Sequence, residues 1–169
     1  GEKVTHIFVQ AGVGSFATGV TGYFSSILQG ENKPFITVVE PEKANCNFIT
    51  AEANDGKIHN VTGEMNTIMA GLACGEPVTV GWPVLNSYAD AFLSVPDNSA
   101  ARGMRILGNP LKDDQRIISG ESGAATMGAL SEILQREDLK DIKEKLKLDE
   151  NSVVLLFSTE GDTDFAHYR

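Results

Sequence analysis

The chain has 169 residues, 41% hydrophobic and 22% charged, with a formal net charge of −9; this fits one soluble globular domain with its own core. The negative charge repels a polyphosphate backbone and no basic stripe offsets it, so nucleic acid is not an expected partner. No apolar run reaches the ~20 residues of a membrane span, so no membrane partner is expected either.

Strands and helices alternate along the chain. Val4 to Gln10 (VTHIFVQ) is a β-branched and aromatic run ending at a glycine cluster, as expected of a buried strand. Phe16, Val20, Tyr23, Phe24, Ile27 and Leu28 recur at helical spacing, with Gly30 as a stop. Phe35 to Val39 (FITVV) reads as a strand covered on both faces. Residues 42–53 are compatible with a helix, 64–73 with a short buried one, and Pro83 opens another that runs to about Tyr88. Ala91 to Val95 is a third strand and Asn98 to Leu107 a helix. Arg116 to Ile118 reads as a short strand. Helical stripes follow at Ala124–Leu134 and Leu139–Leu146, and Val153 to Phe157 is the clearest strand of all. Residues 1–169 therefore read as a single α/β domain with an open, mainly parallel sheet and helices on both faces.

Ligands bind such sheets beyond the carboxyl ends of the strands. Small or polar residues stand at three of these ends: Ala11–Ser15, Ser119–Gly123 and Ser158–Gly161. In the first, Gly12 and Gly14 let the backbone approach an anion, and Ser15 is a natural helix cap. A dinucleotide reading of Gly12-Val13-Gly14-Ser15-Phe16-Ala17 stays open, because alanine is tolerated at the third glycine position. The Walker pattern is absent, since no Gly-Lys-Ser/Thr follows. Phosphate binding and ligand-free helix–strand packing both remain possible for the loop alone.

The segments HIFVQAGVGSFATGVTGYF, VVEPEKANCNF, GEMNTIMAGLACGEP, GNPLKDDQRIISGESGA and VVLLFSTEGDTDFAHYR, taken in order, resemble the diaminopropionate ammonia-lyase family. That family belongs to the fold-type II, tryptophan-synthase-β-like enzymes that use pyridoxal 5'-phosphate (PLP). The resemblance covers nearly the whole chain. It implies a PLP-dependent α,β-elimination converting 2,3-diaminopropionate to pyruvate and ammonia, by a cytoplasmic homodimer acting on a small amino-acid substrate. It further implies that Ala11, Gly12, Val13, Gly14 and Ser15 bind the cofactor phosphate through backbone amides. Glu121 would lie beside the ring, and Ser158 or Thr159, with Ser158 slightly preferred, would face the pyridine nitrogen. Each has a plainer alternative: Glu121 as a helix cap, Ser158 and Thr159 as turn residues.

Glu40-Pro41-Glu42-Lys43-Ala44 resembles a segment that holds a divalent cation in some relatives. Cys46 stands where a carboxylate would complete an oxygen cage, so no metal is expected. Glu160, Asp162 and Asp164 read as a solvated acidic turn, and His6, His59 and His167 as neither ligands nor bases. Cys46 and Cys74 read as two reduced thiols, with a single disulfide left open.

The family holds its cofactor through a lysine in a Ser-x-Lys context. The lysines here, at 3, 33, 43, 57, 112, 140, 143, 145 and 147, all lie outside that context. The first residue is not Met and no signal peptide is visible. The expectation is the carboxy-terminal part of a longer PLP enzyme, inactive alone, with the Schiff-base lysine upstream. The alternative is a non-catalytic phosphate- or PLP-binding module.

Overall fold

The computed structural model describes residues 3–161. Four strands, β1 (His6–Gln10), β2 (Phe35–Pro41), β3 (Ala91–Val95) and β4 (Val154–Leu156), form one sheet in the order β3-β2-β1-β4. All three pairings are parallel, and His6 stands opposite both Phe35 and Val154. The connections carry six helices: α1 (Ser15–Ile27), α2 (Cys46–Ala53), α3 (Trp82–Tyr88), α4 (Asp97–Gly108), α5 (Glu121–Gln135) and α6 (Lys140–Lys145).

Successive side chains of a strand point to opposite faces, and here both faces are covered. Ile7 and Val9 of β1 join Ile36 and Val38 of β2 against Ala17, Val20 and Phe24 of α1 and Leu85 of α3. Phe8 and Val39 face the other way, onto Ala129, Leu130 and Ile133 of α5 and onto Leu146 and Leu148. This two-sided burial is why β1 and β2 read as continuous apolar runs rather than alternating ones. A third cluster, Met69, Leu72, Ala100 and Ala125, ties a short 3-10 turn at Ala70–Leu72 to α4 and α5.

Three expectations change. The segment 64–73 is not a helix beyond that 3-10 turn, because the Thr67 and Asp97 side chains take its backbone groups. Thr67 Oγ1 accepts from Met69 N–H (3.2 Å), and Asp97 accepts from both Thr67 Oγ1 and the Ile68 amide. Arg116–Ile118 is not a strand: it has no neighbour in the sheet, is exposed, and holds on through Ile117 N–H to the Leu107 carbonyl (2.9 Å). Val153–Phe157 shortens to the three residues of β4, which is a half-buried sheet edge.

The strand order turns at β1, which has its chain successor β2 on one side and β4 on the other. Loops leaving β1 and β4 at their carboxyl ends therefore diverge onto opposite faces and leave a crevice between them.

Candidate functional site

The β1 strand ends at Gln10, and the chain enters α1 through Gly14, whose backbone lies in the left-handed region (φ 101°). Only glycine adopts this readily. Gly14 is thus the residue at the helix cap, and Ser15, expected there, is instead the first residue of α1. The first α1 hydrogen bond runs from Thr18 N–H to the Gly14 carbonyl (2.8 Å). The amides of Ser15, Phe16 and Ala17 precede it and have no intrahelical acceptor. Together with the helix dipole they favour an anion at this point.

The loop forms one wall of a cavity of about 510 Å³, within the ~300–1,000 Å³ usual for small-molecule sites. The facing wall comes from the segment after β4 and the start of α5: Thr159, Glu160 and Ser122. Gly71, Leu72 and Cys74 close a third side. Gln10 joins the two strand ends: its Nε2 donates to the Phe157 carbonyl (2.9 Å) and to Thr159 Oγ1 (2.8 Å). Having accepted that bond, the Thr159 hydroxyl keeps its own proton available for donation. Glu160 is half-buried, and its Oε2 accepts from Ser122 N–H (2.9 Å) at the amino end of α5. This carboxylate caps a helix and is not a solvated turn residue, because the Gly120 amide also binds its carbonyl (2.9 Å) and draws the segment against α5. Asp162, Asp164 and His167 lie outside the described residues.

Ala11, Gly12, Val13, Gly14, Ser15 and Thr159 all line the cavity. Glu121, the first residue of α5, and the exposed Ser158 do not; their neighbours Ser122 and Thr159 do. The sequence reading missed Gln10, Ser122 and Cys74. Gln10 carried a signal: an amide side chain ending an otherwise apolar buried strand needs a partner.

Behind the loop lies a second buried cluster. Glu40, near the end of β2, is fully buried. Its Oε1 accepts from the Asn47 amide and from Asn47 Nδ2 (both 2.9 Å), and its Oε2 accepts from Phe48 N–H (2.6 Å). Burial pushes its carboxyl up to about 7, against the lowering effect of these donors. Asn47 Nδ2 also donates to the Gly12 carbonyl (3.0 Å). Both cysteines are free thiols, and burial, aided by the Glu40 charge, pushes Cys46 up to about 12. His6 is buried and bonded to Thr5 Oγ1 and the Leu146 carbonyl, and His59 pairs with Asp55; neither lines the cavity.

The cavity suits a phosphorylated aromatic aldehyde on three counts. Its anion end is lined by Gly12 and Gly14, which carry no side chain, and by the first residues of α1. A Cβ added to Gly12 would press on Leu72 Cα (3.3 Å) and Cys74 Sγ (3.2 Å), so the loop is already seated at closest approach. Opposite, Gln10 Oε1 is buried without a protein partner and the Thr159 hydroxyl has a proton to donate. None of the nine lysines is among the lining residues.

The profile of the family described as "Pyridoxal-phosphate dependent enzyme" matches residues 1–159. Over all 169 residues the chain is 50% identical to diaminopropionate ammonia-lyase of Escherichia coli, and it spans 42% of that protein's length. It is 51% identical over 160 residues to the Salmonella typhimurium diaminopropionate ammonia-lyase, covering 94% of this chain and 39% of that one. The crystal structure of the Escherichia coli enzyme in complex with an aminoacrylate-PLP azomethine reaction intermediate superposes with a TM-score of 0.89 at 46% identity. That match covers the whole of this chain and 42% of the other. A glycine-led helix start at the switch point of a parallel sheet is common to many phosphate binders, but the whole-length match is not: this chain belongs to the pyridoxal-phosphate dependent enzyme family.

Proposed function

We propose that this chain supplies the phosphate cup and the ring-nitrogen wall of a PLP enzyme that eliminates ammonia from 2,3-diaminopropionate to give pyruvate. The observation that carries the reading is the cavity itself, where the α1 amino end and the Thr159 hydroxyl face one another across the β1/β4 crevice. The activity of the relatives and the aminoacrylate-PLP complex of the Escherichia coli enzyme support the same reaction class. When bound, PLP supplies the electron sink that acidifies the substrate Cα.

The chain's own residues bind and orient. The amides of the loop Ala11–Ser15 and of the first α1 turn take the phosphate. Gln10 fixes the Thr159 hydroxyl as a donor toward a neutral pyridine nitrogen. A neutral hydroxyl does not hold that nitrogen protonated as a carboxylate would, which tempers the sink and suits elimination. Glu160 holds the β4 segment against α5 and so sets the position of Thr159. Thr159 takes the pyridine-nitrogen role in preference to Ser158, which does not line the cavity, and Glu121 is placed beside the ring, one position outside the wall. The anchoring lysine is assigned to a part of the protein outside these 169 residues, which the absence of lysine from the lining supports. We further infer a homodimer acting in the cytoplasm, where both free cysteines stay reduced.

Borohydride reduction of the PLP-loaded intact protein, followed by peptide mass mapping, tests the reading. A pyridoxyl-lysine outside residues 1–169, with pyruvate formed from 2,3-diaminopropionate before reduction, is the expected result. An adduct on any of the nine lysines here, or no pyruvate, would overturn it.

A further inference from the structure

We propose that Glu40 and Asn47 are positioning residues of the phosphate cup, fixing the glycine loop from behind so that its amides face the cavity. The inference rests on the phosphate-cup reading above and extends it to residues that line no part of the cavity.

A trans peptide is planar, and its carbonyl and the following N–H point in opposite directions. Holding a carbonyl therefore aims the next amide. The Gly12 carbonyl accepts from Asn47 Nδ2 (3.0 Å), the Val13 carbonyl from the Val78 amide (2.7 Å), and the Gly14 carbonyl from the Thr18 amide (2.8 Å). Three successive peptide planes are thus fixed by donors on the protein side, which turns the Val13, Gly14 and Ser15 amides the other way. Those three residues line the cavity, whereas Asn47 is fully buried. Two of the donors are backbone groups and would survive most substitutions. The Gly12 carbonyl alone relies on side chains, Asn47 Nδ2 and, at 3.7 Å, the weaker Cys46 thiol.

Asn47 is in turn oriented by Glu40. The Asn47 Nδ2 group donates both its protons, one to the Gly12 carbonyl and one to Glu40 Oε1. With the amide flipped, its oxygen would face two acceptors, so only one orientation is tolerable. The Glu40 carboxylate also accepts from Asn47 and Phe48 N–H, in the first turn of α2. It therefore fixes the helix carrying Asn47 as well as its side chain. Asn47 Oδ1 is left without a protein partner, and a Cβ built on Gly14 would lie 3.0 Å from it. The amide thus sits directly beneath the loop.

Affinity of the intact apoprotein for PLP and for pyridoxal, which lacks the phosphate, separates this role from a merely structural one. The unsubstituted protein should prefer PLP strongly; equal binding of the two would sink the cup reading itself. Asn47→Ala should weaken PLP about tenfold (about 1.4 kcal/mol) and leave pyridoxal affinity within about twofold, lowering the preference. Glu40→Gln, isosteric and able to keep part of the network, should lower it about threefold. A role confined to folding would weaken both ligands together and keep the ratio. An unchanged ratio in Asn47→Ala overturns the proposal. If that variant does not fold, an unchanged ratio in Glu40→Gln does so.

Discussion

Glu40 is the residue whose burial and bonding pull in opposite directions. Its full burial raises the carboxyl to about 7 from 4.5, while three N–H donors favour the ionised form. The ionisable group facing it is the Cys46 thiol, itself pushed up to about 12 and so neutral through the acidic range. Between pH 4.5 and about 7 the folded state holds more protons at Glu40 than the unfolded chain does. Stability from this residue is present below that window and is lost as pH rises through it. The thermal midpoint of the intact protein should therefore fall, relative to that of Glu40→Gln, as pH rises from 4.5 to 7. Parallel curves across the window would rule this out. Glu40 was visible in the sequence only as the start of a segment resembling a cation loop, at which no metal was expected. Its actual partners are the Asn47 and Phe48 backbone amides of α2 and the Asn47 side chain, and no residue pattern announces those. Gly14 was legible as part of an anion-approaching loop, but its left-handed φ at the helix cap was not, the cap having been expected at Ser15.

At the level of elements, the α4–α5 contact shows what helical periodicity conveys and what it hides. Both helices were legible in the sequence, α5 from its apolar spacing, yet their closeness depends on two glycines that spacing does not single out. A Cβ on Gly103 would overlap the Ala124 carbonyl oxygen, and one on Gly128 the Ser99 carbonyl oxygen. Backbone cannot yield as a flexible side chain can, so either alanine must part the helices, at ~1–3 kcal/mol or more. Gly19 in α1 is the contrast: it is exposed, helical, and has nothing within 4 Å of an added Cβ. Gly19→Ala should stabilise by ~0.5–1 kcal/mol. Urea unfolding of the three variants checks both signs, and a neutral Gly103→Ala or Gly128→Ala would contradict the close contact. The two misread elements share a cause. Segments 64–73 and 116–118 have suitable local composition, but the first spends its backbone groups on Thr67 and Asp97, and the second has no sheet edge to join. The Asp97 contact and the missing sheet edge are tertiary facts.

For the whole molecule, sheet order decides where chemistry can occur, and the distribution of charge decides which chemistry. The order β3-β2-β1-β4 places the crevice between β1 and β4, so the loop after Gln10 and the segment after Leu156 meet although about 145 residues separate them. Sequence could mark both loops as small and polar; only the parallel pairing of β1 with β4 makes them neighbours. The lysines are held elsewhere. Lys33 pairs with Asp90, Lys43 with Asp97, and Lys147 lies over the Phe35 ring. The remaining six are also absent from the cavity wall. An amine must reach the cofactor carbonyl to bond covalently, and the anion at a helix start fixes the other end of that molecule. On the proposed reading, these 169 residues would hold PLP by its phosphate without capturing it. Expressed alone, the chain should form no pyruvate from 2,3-diaminopropionate. After borohydride treatment with equimolar PLP it should show scattered traces rather than a stoichiometric adduct at one lysine. Mass spectrometry of the digested chain distinguishes the two, and a single fully modified lysine would mean that the cup carries its own anchor.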